Sequence, residues 1–351
     1  MRYTIFGESH GPAVGVTLEG VPSGLTIDFD AVRREMARRA PGTSALSTAR
    51  READEVKILS GVFGGKTCGT PLCAVIENTD QHSRDYQNEL PRPGHADYTG
   101  SVRYRGCNDY RGGGHFSGRL TAPLVFAGAL GKQILAARGV SVGAHIRSIG
   151  GVEDEKFPIL GAEEGKELFS RLAEKPFPTL SDEAGEAMQR EILAAKSDCD
   201  SVGGTIECCA VGIGPGLGAP DFGQNVEGIL SQYLFAVPAV KAVAFGDGFG
   251  FAALRGSEAN DPICSEDGAI RTVTNRTGGI NGGITNGMPI LFTVAMRPTP
   301  SIARPQQTVR LPSGESAELR IHGRHDPCIV HRAVPVIEAA CALGICEIMG
   351  I

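Results

Sequence analysis

The stretch Ser117-Gly-Arg-Leu-Thr-Ala-Pro-Leu-Val-Phe-Ala-Gly-Ala-Leu-Gly-Lys-Gln-Ile-Leu-Ala-Ala-Arg138 decides how the chain is read. From Leu120 to Leu135 it is polar mainly at Lys132 and Gln133. A run that long and that evenly apolar predicts a helix over 117–138, buried nearly all round and ended by Gly139. Directly after it, Val140, Val142, Ala144 and Ile146 alternate as a strand does. Strand-like runs return at 203–212, 239–246 and 289–297, with a helix around 225–235 between the first two. Upstream, residues 28–39 predict a short helix capped by Asp30, with Val32 and Met36 on one face and Pro41-Gly42 as its stop. Residues 329–349 predict an apolar helix disturbed at Pro335. The charged segment 160–196, with Met188, Ile192 and Leu193 as a weak apolar stripe, reads as a helical surface excursion. No repeat or flexible linker compels a domain boundary, and helices mix with strands throughout. That pattern favours a layered α/β or α+β domain over a bundle or a barrel.

Composition narrows the function. The chain has 351 residues, with 34 basic against 40 acidic side chains. A net charge of −6 argues against bulk attraction to nucleic acid or anionic lipid. The absence of Trp and an aromatic share of 6% argue against a stacking platform for single strands or sugars. No run of eighteen apolar residues occurs, so no membrane span is expected. The first residues carry no secretory or transit pattern, so a cytoplasmic protein is expected. The ten cysteines lack framework spacing and contain no C-x-x-C, so free thiols are expected, with no metal site. Glycine is the outlier: 48 residues is about twice the usual share. Clusters such as Gly112-Gly113-Gly114 and Gly282-Gly283 mark tight turns or backbone that approaches a ligand closely.

Three signals carry chemistry. Four histidines sit in Gly- or Pro-punctuated polar loops: His10, His95, His115 and His325. Histidine is the commonest general acid or base near neutrality, so these are candidates for proton transfer, whereas His145 on a strand reads as structural. Six arginines fall between residues 31 and 51 against one Glu, and Arg111, Arg119, Arg297 and Arg324 lie beside glycine clusters. Guanidinium forks suit phosphate and carboxylate. Finally, Arg111-Gly-Gly-Gly-His-Phe-Ser-Gly-Arg119 runs into the long helix, and a glycine loop opening a helix offers N–H groups to an anion. It is neither a P-loop nor a dinucleotide fingerprint. The residues alone point to an enzyme for a small substrate bearing phosphate and carboxylate.

Taken together, the motifs resemble the chorismate synthase family. They include Phe6-Gly-Glu-Ser-His-Gly11, Arg39-Ala-Pro-Gly-Thr-Ser44, Val56-Lys-Ile-Leu-Ser-Gly61, Glu77-Asn-Thr-Asp80 and Arg92-Pro-Gly-His-Ala-Asp-Tyr98. Asp109-Tyr-Arg-Gly-Gly-Gly114, Gly246-Asp-Gly-Phe249, Arg255-Gly-Ser257, Gly282-Gly-Ile-Thr-Asn-Gly287, Arg297-Pro-Thr-Pro-Ser301 and Gly323-Arg-His-Asp-Pro-Cys328 follow in the family's order.

The resemblance implies an α+β fold, a single-domain β-α-β sandwich over residues 1–351, assembled as a homotetramer. It implies loss of phosphate and a ring proton from 5-enolpyruvylshikimate 3-phosphate to give chorismate. The 1,4-anti elimination uses reduced FMN without net redox change. It also implies roles. His10 supplies a proton near the departing phosphate, His95 protonates the reduced flavin, and Asp326 assists proton removal. Ser9, Arg39, Ser117, Arg119 and Arg324 form the substrate clamp. FMN contacts come from His115, Phe116, Ser117, Pro238, Ala239, Gly282, Arg297, Pro298, Thr299, Pro300, Ser301 and Arg324. In some relatives Arg39 belongs to an NADP site, so NADPH enters as a possible electron source only. Two departures stand out: Ala45 replaces a family arginine whose charge Arg50 could supply, and His115-Phe116-Ser117 replaces Arg-Ser-Ser.

Overall fold

The computed structural model describes residues 1–42, 46, 54–80, 88–266, 268–321 and 325–351. Its first sheet comes from the amino-terminal part of the chain. Strands β1 (Arg2–Gly7), β2 (Ala13–Glu19), β3 (Val56–Ser60) and β6 (Leu72–Glu77) pair antiparallel in the order β1-β2-β6-β3, and a small hairpin, β4 (Val62–Phe63) with β5 (Lys66–Thr67), lies between the last two in sequence. Between β2 and β3 runs helix α1 (Phe29–Arg39). Its N-cap is Asp28, whose side chain accepts from the Ala31 N–H, rather than Asp30, which sits in the first turn. Val32 and Met36 are buried, as their spacing predicts.

Helix α2 (Asp97–Arg103) precedes the glycine loop, which leads through a 3-10 turn at Gly118–Leu120 into α3 (Thr121–Ala136). The sequence predicts α3 a few residues too long at each end and its burial correctly: from Ala122 to Leu135 only Lys132 and Gln133 are not buried. Gln133 joins α3 to α1, its side chain accepting from the Asp28 N–H and donating to the Asp28 carbonyl.

The second sheet takes β7 (Ser141–Ile149), β8 (Val152–Glu153), β9 (Gly204–Val211), β10 (Val240–Phe245) and β15 (Ile290–Met296). All pairings are antiparallel, in the order β10-β15-β9-β7-β8. Between β8 and β9 come α4 (Ala162–Glu174) and α5 (Asp182–Ser197). These are not an excursion. They cover the outer face of β7 with Phe169, Leu172, Met188 and Ile192 buried, while Leu193 faces water. Helix α6 (Val226–Phe235), capped by Asn225, precedes β10. A one-turn helix α7 (Gly256–Ala259) and the hairpins β11 (Ile263–Glu266) with β12 (Ala269–Thr272) and β13 (Ile280–Asn281) with β14 (Ile284–Thr285) precede β15. The hairpin β16 (Gln306–Arg310) with β17 (Glu315–Leu319) follows it, and α8 (Val330–Ile348) closes the chain. Pro335 falls within α8 without breaking it.

Helices α3 and α8 pack on each other, α3 also on β2 and β6, and α8 also on β7 and β9. Two sheets therefore enclose a helical layer, the β-α-β sandwich that the resemblance implies. All ten cysteines are free thiols. His145 is structural as read: wholly buried, it bridges Asp154 (3.2 Å) and Glu207 (2.9 Å). Burial works against its positive charge, but the two carboxylates outweigh it and raise its pKa.

Candidate active site

A cavity of about 850 Å³ opens where the two sheets and the helical layer meet. Its wall is built from Tyr3 and Ile5 of β1, the end of α1, the glycine loop with the start of α3, residues 235–241, residues 296–301 and the start of α8. Residues more than two hundred positions apart are thus brought to one mouth. Among the described residues, six cationic side chains line it, Arg39, Arg92, Arg119, Lys241, Arg297 and Arg332, against the carboxylate of Asp326. Leu120, Leu124, Ile329 and Val336 supply an apolar floor. Such a lining suits an anionic ligand with a flat apolar body.

The glycine loop divides the histidines. Gly112, Gly113 and Gly114 all have positive φ, at 62°, 86° and 53°. A Cβ on Gly112 would run into the His10 imidazole and the Ser9 hydroxyl, so no larger residue allows this approach. Ser9 is wholly buried, and its hydroxyl donates to the carbonyls of Gly112 (3.1 Å) and Arg111 (3.3 Å). On the other side of the loop, a Cβ on Gly113 would stand 3.2 Å from His95 Nε2. His10 and Ser9 therefore back the loop, whereas His95 lines the cavity.

His95 sits in a charged array. Its Nδ1 lies 2.6 Å from Asp97 Oδ1. Arg92 grips the same carboxylate through Nε (2.7 Å) and Nη2 (2.8 Å), and donates from Nη1 to Ser301 Oγ (3.1 Å). Burial opposes the charge on Asp97, but hydrogen bonds from Arg92 and His95 outweigh it and hold the carboxyl well below its usual range. Across the cavity, Arg332 donates to Asp326 Oδ2 (2.5 Å) and to the Arg39 carbonyl (3.1 Å). Arg39 and Arg119 both pair with the buried Asp54, and Arg119 also donates to Asn78 Oδ1 (2.9 Å) and the Glu77 carbonyl (3.0 Å).

Of the residues singled out from sequence, Arg39, His95, His115, Phe116, Ser117, Arg119, Pro238, Ala239, residues 297–301 and Asp326 all line this cavity. Phe116 also packs on Gly100 and Tyr104. His115 meets the Gly7 carbonyl through Nδ1 at 3.0 Å. Ser9, His10 and Gly282 are not in the lining. Arg324, Ala45 and Arg50 lie outside the described residues. Sequence reasoning missed Arg92, Asp97, Asp54, Lys241 and Arg332 as parts of the site. The only signal for Asp97 was its place two residues after His95 in Arg-Pro-Gly-His-Ala-Asp. Among the described residues, no group of three or more His, Cys, Asp or Glu side chains could hold a metal ion.

Fold and cavity together define an α+β protein with a cationic cavity beside histidine and carboxylate groups. The chorismate synthase family model matches residues 1–349. A chorismate synthase of Thermococcus kodakarensis is 47% identical over 350 residues, covering 99% of this chain and 95% of that relative. One of Dehalococcoides mccartyi is 43% identical over 349 residues, covering 99% and 94%. A crystal structure of chorismate synthase superposes with a TM-score of 0.76 at 29% identity, covering 99% of this chain and 90% of that one. The chain belongs to the chorismate synthase family.

Proposed function

We propose that residues 1–351 act as one domain that converts 5-enolpyruvylshikimate 3-phosphate into chorismate and inorganic phosphate. The observation that carries this reading is the cavity that joins His95 and Asp326 to six cationic side chains among the described residues. A substrate with one phosphate and two carboxylates needs cationic side chains around it.

Reduced FMN fits the same lining. Ala239 holds φ at +76°, a strained conformation for a residue with a Cβ, and with Pro238, Pro298 and Pro300 it gives the lining an apolar stretch. His115, Ser117, Thr299 and Ser301 offer polar contacts along its edges, and Arg297 offers charge. When bound, the flavin supplies electron density that eases the loss of an unactivated ring hydrogen.

The protein's own groups do the rest. Arg39 and Arg119, held in register by Asp54, fix the anionic ends of the substrate, with Ser117 and Arg324 completing the clamp. Asp326, paired with Arg332, assists removal of the ring proton. His95, in the same lining, would protonate the reduced flavin once it is bound. His10 lies against Gly112, whose missing side chain leaves Nε2 uncovered toward the cavity, and from there it would give a proton to the departing phosphate. NADPH serves as an electron source at most, with Arg39 as its only candidate contact.

The setting is cytoplasmic and the assembly a homotetramer. Exposed Phe222, Phe249, Ile263 and Ile270 support association between copies. Among the described residues, no helix is long and apolar enough to cross a membrane.

The test is anaerobic incubation with dithionite-reduced FMN and the enolpyruvyl substrate, following phosphate release. Wild-type protein is expected to turn over, and His10→Ala to fall by about a hundredfold or more. No release from wild type under these conditions overturns the reading. A loss below about tenfold in the variant removes His10 from its role.

A further inference from the structure

The segment Arg92-Pro-Gly-His-Ala-Asp97 folds so that its three charged or titratable side chains meet at the cavity wall. At 2.6 Å, His95 Nδ1 and Asp97 Oδ1 must share a proton, because two lone pairs do not approach that closely. Arg92 reaches Asp97 through its side chain and, at 3.0 Å, through its backbone N–H. Four hydrogen bonds to one carboxylate keep it ionised, so the shared proton belongs to the ring. Arg92 Nη2, 3.1 Å from His95 Nδ1, is then a close neighbour of that nitrogen and no donor to it.

We propose that Asp97 is a positioning residue that fixes His95 as the tautomer protonated on Nδ1, leaving Nε2 as the nitrogen that exchanges a proton in the cavity. Arg92 locks the carboxylate and, through Ser301, ties the array to the run 297–301. Gly113 completes the device. Its φ of 86° and its missing Cβ, which would stand 3.2 Å from Nε2, leave the exchanging nitrogen uncovered on that side. This inference rests on the proposed role of His95 in proton transfer. When His95 acts as a donor it gives up the proton on Nε2, and Asp97 then holds the Nδ1–H that remains, as the carboxylate does in other carboxylate–histidine pairs.

The test has two readouts on the full-length chain. In protein carrying ¹⁵N-labelled histidine, with the His95 signals assigned by comparison with His95→Gln, wild type without flavin, taken to a pH at which the ring is neutral, is expected to show one tautomer, protonated on Nδ1. Asp97→Asn is expected to populate both tautomers. Phosphate release in the anaerobic assay is expected to fall about a hundredfold in Asp97→Asn, with KM for substrate moving less than about threefold. If Asp97→Asn does not fold, Asp97→Glu, which keeps the charge Arg92 requires, is read the same way, with a loss of about tenfold expected. A variant that keeps the single Nδ1–H tautomer, or turns over within about threefold of wild type, overturns the inference. Absence of turnover in wild type overturns the proposed function instead, and the nitrogen spectrum still decides whether Asp97 sets the ring.

Discussion

Asp54 is one carboxylate between two buried guanidinium groups. Its side chain is fully enclosed, pairing with Arg39 at 2.9 Å and with Arg119. Its φ of 51° lies in the left-handed region, a conformation that aspartate tolerates better than most side chains. With the carboxylate neutralised, two like charges would face each other with little water. Asp54→Asn is therefore expected to lower stability by about 3 kcal/mol, read as a fall in the urea midpoint, since removing one partner strands the others. Inorganic phosphate should recover more of that loss in the variant than it adds to wild type, because Arg39 and Arg119 line the cavity and, without the Asp54 charge, attract an oxyanion there more strongly. Equal stabilisation of both proteins would show that these arginines are not poised for an anion. The same residue shows what sequence can reveal at this scale. His95 and Arg119 were legible because glycine or proline beside a charged group marks a loop built for a ligand, whereas Arg39 took its site role only from the family resemblance. Asp54, in Arg51-Glu-Ala-Asp-Glu-Val56, reads as an ordinary solvated charge, and only the long-range meeting of three segments buries it.

At the scale of elements, α3 and α8 were legible because a long apolar run can be buried only as a core helix. The first sheet was not. Strand β1 alternates exposed with half-buried residues and ends at Gly7, and the next five residues carry the Ser9-His10 chemistry that drew the reading toward a loop. Pairing with β2, whose buried Val14, Val16 and Leu18 face the helices, is what defines it. Residues 160–196 misled for a related reason: their apolar stripe is thin because one face meets a sheet and the rest meets water. The α3–α8 crossing can be tested through its glycines. A Cβ on Gly128 would overlap Ala339, whereas one on Gly131 would meet Ala342, Leu343 and Cys346 at an ordinary 3.7 Å. Gly128→Ala is expected to cost about 1–3 kcal/mol by overpacking. Gly131→Ala is expected to gain up to about 1 kcal/mol from helix propensity. Urea unfolding should move the two midpoints in opposite directions. If both rise, the two helices do not cross this closely.

At the scale of the molecule, the layers are joined by charge as well as by apolar packing. Glu338 of α8 accepts from Arg38 of α1 at 2.6 and 2.9 Å, from Lys132 of α3 at 2.5 Å, and from the Ala144 N–H of β7 at 3.0 Å. One buried carboxylate therefore ties three helices to the second sheet. Burial opposes its charge, but Arg38 and Lys132 outweigh that and depress its pKa below the usual carboxylate range. With the folded value depressed, the unfolded chain binds the proton more readily, so stability from this group is fully present above about pH 4.3, the unfolded value. It is lost as pH falls through the folded value. Glu338→Gln keeps the shape, removes the charge, and leaves Arg38 and Lys132 paired only with Glu35. The variant is expected to be about 3 kcal/mol less stable at pH 7. The gap from wild type should narrow as pH drops below about 4.3, because wild type then takes up the proton whose effect the amide already mimics. Urea midpoints for both proteins between pH 7 and pH 3 measure this. Curves that stay parallel across that range would mean that Glu338 titrates alike in folded and unfolded chains, and that the layers are held by apolar burial alone.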